Sequence, residues 1–472
     1  MNILDDDIVR ESSVFLVLGG VDAGKSTLTA TLKKQAEMGL NKNTVEIDMM
    51  ALDDGNGLLK NNMNMLRHEI ESGRTSTSKP HYILTRNDTG NIIATTLIDL
   101  CGHDKYSKTT IFGVSGLFGD YGIIIIGANM GINGTTHEHM RLLAYMRIPF
   151  IIVITKLDLI QSNDMLQSLF ESISRLAHKY GNKKTVFINE NQLYNNGSYI
   201  SHSNKELLEK LESKNLITIP VITISNKTGH NLGFLKEFIT SIKNDTYKMH
   251  YILPKEIIDI NDPATMFLDG RFTVRGVGMV LSGTVRFGNL RIDQDIYVGP
   301  IDGNYLKAKI KTMKNCVGQN VDVLLKNTAG SIGVSMVDKK SYNINNFRKG
   351  QIVCTDPKFA HENTCYSINA MIMITRPRSI IRHGSQCVLH CGTVRHTVVF
   401  VKVTDAYLGK KINARVKFIG RPEFIAPDSK MIFRDGNILG LGRVTSVINF
   451  KNDTRINIKK NKKISKRKIN TT

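Results

Sequence analysis

Residues 19–26, Gly19-Gly20-Val21-Asp22-Ala23-Gly24-Lys25-Ser26, constrain what this chain can fold into more than any other stretch. An apolar, β-branched run at 14–18 precedes them and an amphipathic run at 26–39 follows, so the segment reads as strand, loop and helix. Glycines let the loop's N–H groups turn inward on an anion, and the helix N-terminus adds partial positive charge. In that arrangement Asp22, Ala23, Gly24, Lys25, Ser26 and Thr27 wrap a string of phosphates. Lys25 would reach the β- and γ-phosphates, and the Ser26 hydroxyl would bind Mg²⁺.

The remainder of the first half agrees with this start. Strand runs are expected at 82–85, 93–99, 123–127, 150–155 and 221–225, and helical runs at 137–146, 165–180 and 232–243. Continuous β-branched strands separated by helices predict a mostly parallel sheet with helices on both faces, an α/β nucleotide-binding domain over 1–250. From about residue 254 helical periodicity fades. Short Val/Ile/Thr-rich runs punctuated by glycine follow, at 271–280, 283–287, 296–298, 307–311 and 330–337. A break near Asp356-Pro357 precedes a second series at 366–375, 387–401, 413–418 and 440–447. These predict two small antiparallel β-barrels, 251–355 and 356–450. Residues 451–472 form a basic tail, expected to stay disordered until it meets an anion.

Three further motifs give the loop its nucleotide. Asp99-Leu100-Cys101-Gly102-His103 follows the apolar run 92–98. A carboxylate at a strand end, three residues before a glycine, hands the Mg²⁺ region over to a loop, and His103 is placed where an imidazole could face a γ-phosphate. Thr155-Lys156-Leu157-Asp158 ends a buried strand. Asp158 there could accept from a guanine N1–H and 2-amino group, a paired donor edge that adenine lacks. Ser225-Asn226-Lys227 ends the last strand, where a backbone N–H could meet the guanine carbonyl. GTP and GDP are the ligands expected.

The order of phosphate loop, DxxGH, TKxD and SNK, followed by two barrels, resembles the translational GTPases of the elongation factor Tu/1A class over about residues 12–450. The barrel segment Arg271-Phe272-Thr273-Val274-Arg275-Gly276-Val277-Gly278 is similar to the second domain of that class, and Arg434-Asp435-Gly436-Asn437 to its third. Within the class, residues 67–76, ending Ser72-Gly73-Arg74-Thr75-Ser76, resemble the GTP-binding protein 1 and 2 subfamily most. The resemblance implies roles. Thr75 would ligate Mg²⁺ through its hydroxyl, Asp99 would hold it through a water, and the Gly102 N–H would meet the γ-phosphate. His103 would orient the attacking water.

Departures from the class are equally specific. An asparagine usually stands where Thr155 does, which leaves open the contact to guanine N7 and the bracing of the phosphate loop. Two apolar side chains usually flank the catalytic histidine; Val21 matches one, but Arg74 occupies the other place. That cation could loosen the restraint on His103, or could itself neutralise transition-state charge. Asp22 could bind a monovalent cation near the phosphates or brace the loop.

Charge divides the chain. The formal net charge of +21 lies entirely after residue 250, since Lys/Arg and Asp/Glu balance before it. Such asymmetry suggests a polyanion partner for the second half, with Lys459, Lys460, Lys462, Lys463, Lys466, Arg467 and Lys468 concentrated in the tail. Together with the resemblance this implies a GTP-driven switch acting on tRNA or the ribosome. The alternative the subfamily suggests is an RNA-turnover adaptor working with RNA-decay machinery. A more remote one is the GTPase subunit of a sulfate-activating enzyme, which the charge argues against. Six scattered cysteines read as reduced thiols, and Cys387, His390 and Cys391 as strand positions rather than a zinc site. Apolar runs fall short of a membrane span. A monomeric, cytoplasmic protein is expected.

Overall fold

The computed structural model describes residues 9–41, 52–53, 78–86, 91–102, 107–160, 162–180, 184–189, 192–195, 198–200, 218–242, 263–337, 344–375, 381–403, 409–435 and 437–449. The first unit is a nine-stranded sheet. In chain order it contains β1 (Arg10–Gly19), helix α1 (Lys25–Asn41), β2 (Lys79–Arg86), β3 (Ile92–Asp99), α2 (Ser107–Gly116), β4 (Tyr121–Gly127) and α3 (Gly134–Met146). Then come β5 (Phe150–Thr155), α4 (Asn163–Lys179), β6 (Lys184–Asn189), β7 (Gln192–Asn195), β8 (Ser198–Ile200), β9 (Thr218–Thr223) and α5 (Leu232–Ser241). Strand order is β2-β3-β1-β4-β5-β9-β6-β7-β8. Neighbours from β3 to β6 run parallel, β2 pairs antiparallel with β3, and β7 and β8 form an antiparallel extension.

Period-two alternation splits the strand side chains between two layers. Leu16, Leu18, Ile124, Ile126, Ile152 and Ile154 meet Met140 and Leu143 of α3 and Ile173 of α4 on one face. Phe15, Val17, Ile123, Ile125, Ile151 and Val153 meet Leu28 and Leu32 of α1 and Leu235 and Phe238 of α5 on the other. The chain leaves β1 toward β3 on one side and β4 on the other. The carboxyl end of β1 is therefore the topological switch point at which such sheets bind ligands.

Strands β10 (Thr265–Val274), β11 (Gly278–Phe287), β12 (Leu290–Arg291), β13 (Asp295–Ile301), β14 (Asn304–Asn315), β15 (Val323–Leu324), β16 (Ala329–Met336) and β17 (Ile352–Cys354) follow. Six of them close a barrel in the order β10-β11-β16-β14-β13-β17. After a short helix α6 (Pro357–Glu362) come β18 (Thr364–Ile374), β19 (Gln386–Cys391), β20 (Val394–Val403), β21 (Lys411–Phe418), β22 (Glu423–Phe424), β23 (Lys430–Asp435) and β24 (Asn437–Asn449). The β21–β18 pairing closes the second barrel. The expected fold class, α/β followed by two antiparallel barrels, is the one observed. Locally two expected runs divide: 271–280 contains the turn between β10 and β11, and 387–401 the turn between β19 and β20. Within the sheet unit, helix α2 and strands β6 to β8 are additions to the expected elements.

The barrels dock on the sheet unit through specific groups. Glu11 of β1 accepts from the Thr96 hydroxyl at 2.9 Å and from the Ala329 N–H of the first barrel at 2.7 Å. Ile432 and Leu441 of the second barrel join the apolar layer that holds α3 and α4. Lys430 donates to the Met146 carbonyl at 2.7 Å, and the Tyr145 hydroxyl donates to the Gly442 carbonyl. Among the described residues no helix is long and apolar enough to cross a membrane.

Candidate nucleotide site

The phosphate loop leaves β1 and enters α1 with its lysine folded inward. Lys25 is buried, and its ammonium donates to the carbonyls of Gly20 at 2.6 Å and Gly19 at 3.1 Å. Gly24 has a φ of +91°, a conformation open to glycine, while the exposed Asp22 is also left-handed at +56°. Gly102 lies against this end of the loop: a Cβ there would run into the Lys25 ammonium and the Gly19 and Gly20 carbonyls. Sequence and fold thus bring the DxxG glycine to the lysine across 77 residues of chain.

One turn into the site, the Ser26 hydroxyl donates to Asp99 Oδ2 at 2.6 Å, and both residues are buried. A hydroxyl and a carboxylate side by side are the hard oxygen donors that Mg²⁺ takes, so the set fits that ion. Thr155, the departure from the usual asparagine, is fully buried at the end of β5. Its hydroxyl donates to the Ala23 carbonyl at 2.6 Å and sits beside Gly24. The phosphate loop is braced after all, by threonine.

Two loops assemble the segment expected to face the base. Asp158 stands just past β5 and is exposed; the Ser225 hydroxyl donates to its Oδ1 at 2.5 Å, and the Thr228 N–H donates back to that Ser225 oxygen at 3.1 Å. Lys156 adopts a left-handed φ of +59° that carries the chain out toward Asp158. Asn226 is buried and its carbonyl accepts from the Asp53 N–H, whereas Lys227 is exposed. Asp158 and Ser225, 67 positions apart, therefore form one oriented acceptor.

Val21 is half-buried at the loop. Arg74, Thr75 and His103 lie outside the described residues, as do Lys459, Lys460, Lys462, Lys463, Lys466, Arg467 and Lys468. Among the described residues no cluster of His, Cys, Asp or Glu is arranged to hold a metal. Cys387 and Cys391 point into the second barrel's core with Leu389 between them. His390, between the two sulfurs in sequence, takes the other face of the strand.

Sequence reading missed three features of the surroundings. Asn133 caps α3 and lies beside Gly20; its signal is an asparagine just before a helical run. His139 of the same helix is buried, and burial together with the Lys25 charge pushes its imidazole down to about 3. Asp269 interrupts the apolar run Met266-Phe267-Leu268 in β10 and faces a cavity of about 1080 Å³ between the sheet unit and the first barrel. Its Oδ1 accepts from Ser282 at 2.7 Å, and burial raises its carboxyl above the usual range. Phe112, Phe272 and Lys349 line the same cavity.

Residues 10–245 match the family described as the elongation factor Tu GTP binding domain. GTP-binding protein 1 of Xenopus laevis is 28% identical over 94% of this chain and 64% of its own length. GTP-binding protein 2 of Homo sapiens is 29% identical over 91% of this chain and 68% of its own. The chain thus spans about two-thirds of the length of these relatives. In fold it is similar to the elongation factor SelB of Methanococcus maripaludis in complex with GppNHp, with a TM-score of 0.61 and 18% identity over 94% of this chain and 81% of that one. It is also similar to the Saccharomyces cerevisiae Ski7 GTPase-like domain bound to GTP, with a TM-score of 0.65 and 15% identity over 92% and 97%.

Proposed function

The chain belongs to the elongation factor Tu GTP-binding domain family, and from that premise we propose that it is a GTP-hydrolysing switch that acts on RNA. The observation that carries this reading is the convergence of Lys25, Ser26, Asp99 and Gly102 at the carboxyl end of β1. Lys25, held over the loop carbonyls, would exchange those acceptors for β- and γ-phosphate oxygens. Ser26, Asp99 and Thr75 would hold Mg²⁺, which offsets charge on the phosphates. The Gly102 N–H would read the γ-phosphate, and His103 beside it would orient the attacking water, with Val21 and Arg74 bordering its approach. Asp158, aligned by Ser225, would select guanine over adenine. Asp22 would hold a monovalent cation or brace its loop.

Loss of the γ-phosphate releases what Thr75 and Gly102 hold, and the barrels move against the sheet unit as those loops relax. The positive second half would grip tRNA or ribosomal RNA through phosphates, in the cytoplasm and as a monomer. Single-turnover GTP hydrolysis with and without ribosomes tests this reading. His103→Ala should keep nucleotide binding and lose stimulation; undiminished stimulation in the variant overturns the assignment. An RNA-turnover adaptor is the second reading, the one implied by the resemblance of residues 67–76 to the GTP-binding protein 1 and 2 subfamily. A delivery factor must prefer aminoacylated over deacylated tRNA, and an adaptor need not.

A further inference from the structure

Gly20 is the second residue of the phosphate loop, and its carbonyl receives Lys25 at 2.6 Å. Its φ lies outside the left-handed region, so nothing in the backbone demands glycine there. The demand comes from a neighbour. A Cβ built on Gly20 would lie 2.6 Å from the Asn133 side-chain nitrogen. Asn133 cannot turn away freely, because its Oδ1 accepts from the Thr136 N–H at 2.9 Å and the Thr136 hydroxyl at 3.0 Å, capping α3. Its amide nitrogen is thereby fixed against the loop. The helix behind it is itself immobilised: His139 is buried near Lys25, and Tyr145 and Met146 are bonded to the second barrel.

We infer that Gly20 and Asn133 form a size-matched pair through which α3 holds the phosphate loop, which makes Asn133 a positioning residue for the γ-phosphate end of the site. The amide lies against the segment whose carbonyls hold Lys25 and border Gly102, the two groups that the proposed function places at the γ-phosphate. This inference rests on the GTP-hydrolase reading for its consequence, but the pairing itself does not.

A double-mutant cycle on the full chain tests it, with Gly20→Ala, Asn133→Ser and the two combined. Serine keeps a capping oxygen while removing the amide; alanine supplies a methyl where the amide was. Gly20→Ala should weaken GTP binding at least tenfold and GDP binding less. Asn133→Ser should slow single-turnover hydrolysis about three- to tenfold. The double variant should return to within about threefold of wild type in both. Additive losses overturn the pair, and equal losses of GTP and GDP affinity overturn the positioning role. Thermal midpoints of the same four proteins without nucleotide read the pair separately: a double variant more stable than the sum of the single effects supports it, and additivity refutes it. A wild type that binds no GTP would instead defeat the functional reading, with the thermal cycle still deciding the contact.

Discussion

The hydroxyl of Thr155 donates to the carbonyl of Ala23 at 2.6 Å, 132 residues away in sequence, and this bond ties the end of β5 to the 19–26 loop. Both partners are buried, so deleting the hydroxyl strands a carbonyl at a cost of about 1–3 kcal/mol. Thr155→Val, close in shape, should therefore weaken GTP and GDP together, by roughly tenfold, in a fluorescent-nucleotide titration. Thr155→Ser should keep most of the affinity. An unaltered valine variant would show that the brace is dispensable.

Asp158 and Ser225 make a second prediction. A carboxylate recognises guanine's two donors, whereas an asparagine amide can instead donate to the extra carbonyl of xanthine. Asp158→Asn should lose GTP affinity by at least a hundredfold and gain binding of xanthosine triphosphate. Ser225→Ala should cost about 1 kcal/mol, because it removes only the bond that orients the carboxylate. Equal affinity of Asp158→Asn for both nucleotides would place the base elsewhere.

The places of the 19–26 loop, Asp99 to Gly102, TKLD and SNK at strand ends were legible because these short segments lie between strands and helices of marked periodicity. What could not be read was tertiary. Whether Thr155 could replace an asparagine depended on the 2.6 Å approach of Ala23, and nothing local encodes that distance. The proximity of Asn133 to Gly20 is set by where α3 packs, not by either residue's neighbours. In the barrels, runs such as 387–401 looked continuous because Gly392-Thr393 is a two-residue turn between equally apolar strands. The short strands β7 and β8 lie in polar sequence without alternation, which leaves pattern reading no signal.

Lys430 predicts a pH dependence. Burial, with the Arg147 and Arg443 charges adding to it, pushes its amine down from its ordinary value of 10.5 to about 7. The unfolded chain holds that proton up to about pH 10.5, so between the two values unfolding takes up a proton. Raising the pH from 7 toward 10 should therefore stabilise the fold, by at most about 1.4 kcal/mol per pH unit from this one group. Lys430→Met should flatten that rise in urea midpoints measured at pH 7 and 9. Parallel curves for wild type and variant would sink the prediction.

Glu423 joins the two barrels. Its fully buried carboxylate meets Arg348 of the first barrel at 2.7 Å, and His396 at 2.6 Å and Arg421 at 3.3 Å of the second. Arg421 is half-exposed, but Arg348 is mostly buried, so removing the shared carboxylate leaves the Arg348 charge uncompensated, at about 3–5 kcal/mol. Glu423→Ala should lower stability by that order, far more than Asp295→Ala, whose exposed partner Lys307 contributes little. Equal small losses in chemical denaturation would mean that water already screens the cluster.

The proposed RNA binding by the positive half predicts a salt signature. Each phosphate neutralised by Lys or Arg releases counterions, so the logarithm of affinity falls linearly with the logarithm of salt concentration. The tail, 451–472, holds nine of the chain's 63 basic residues in 22 positions. If it grips phosphates, deleting it should make the slope for a structured RNA shallower by several units, at about 0.7–0.9 for each phosphate no longer neutralised. Nucleotide affinity should be unchanged, because Lys25, Ser26 and Asp158 all lie in the first unit. The comparison separates a tail that binds from one that merely hangs from the second barrel. A parallel salt dependence with and without residues 451–472 would assign RNA binding to the barrels alone.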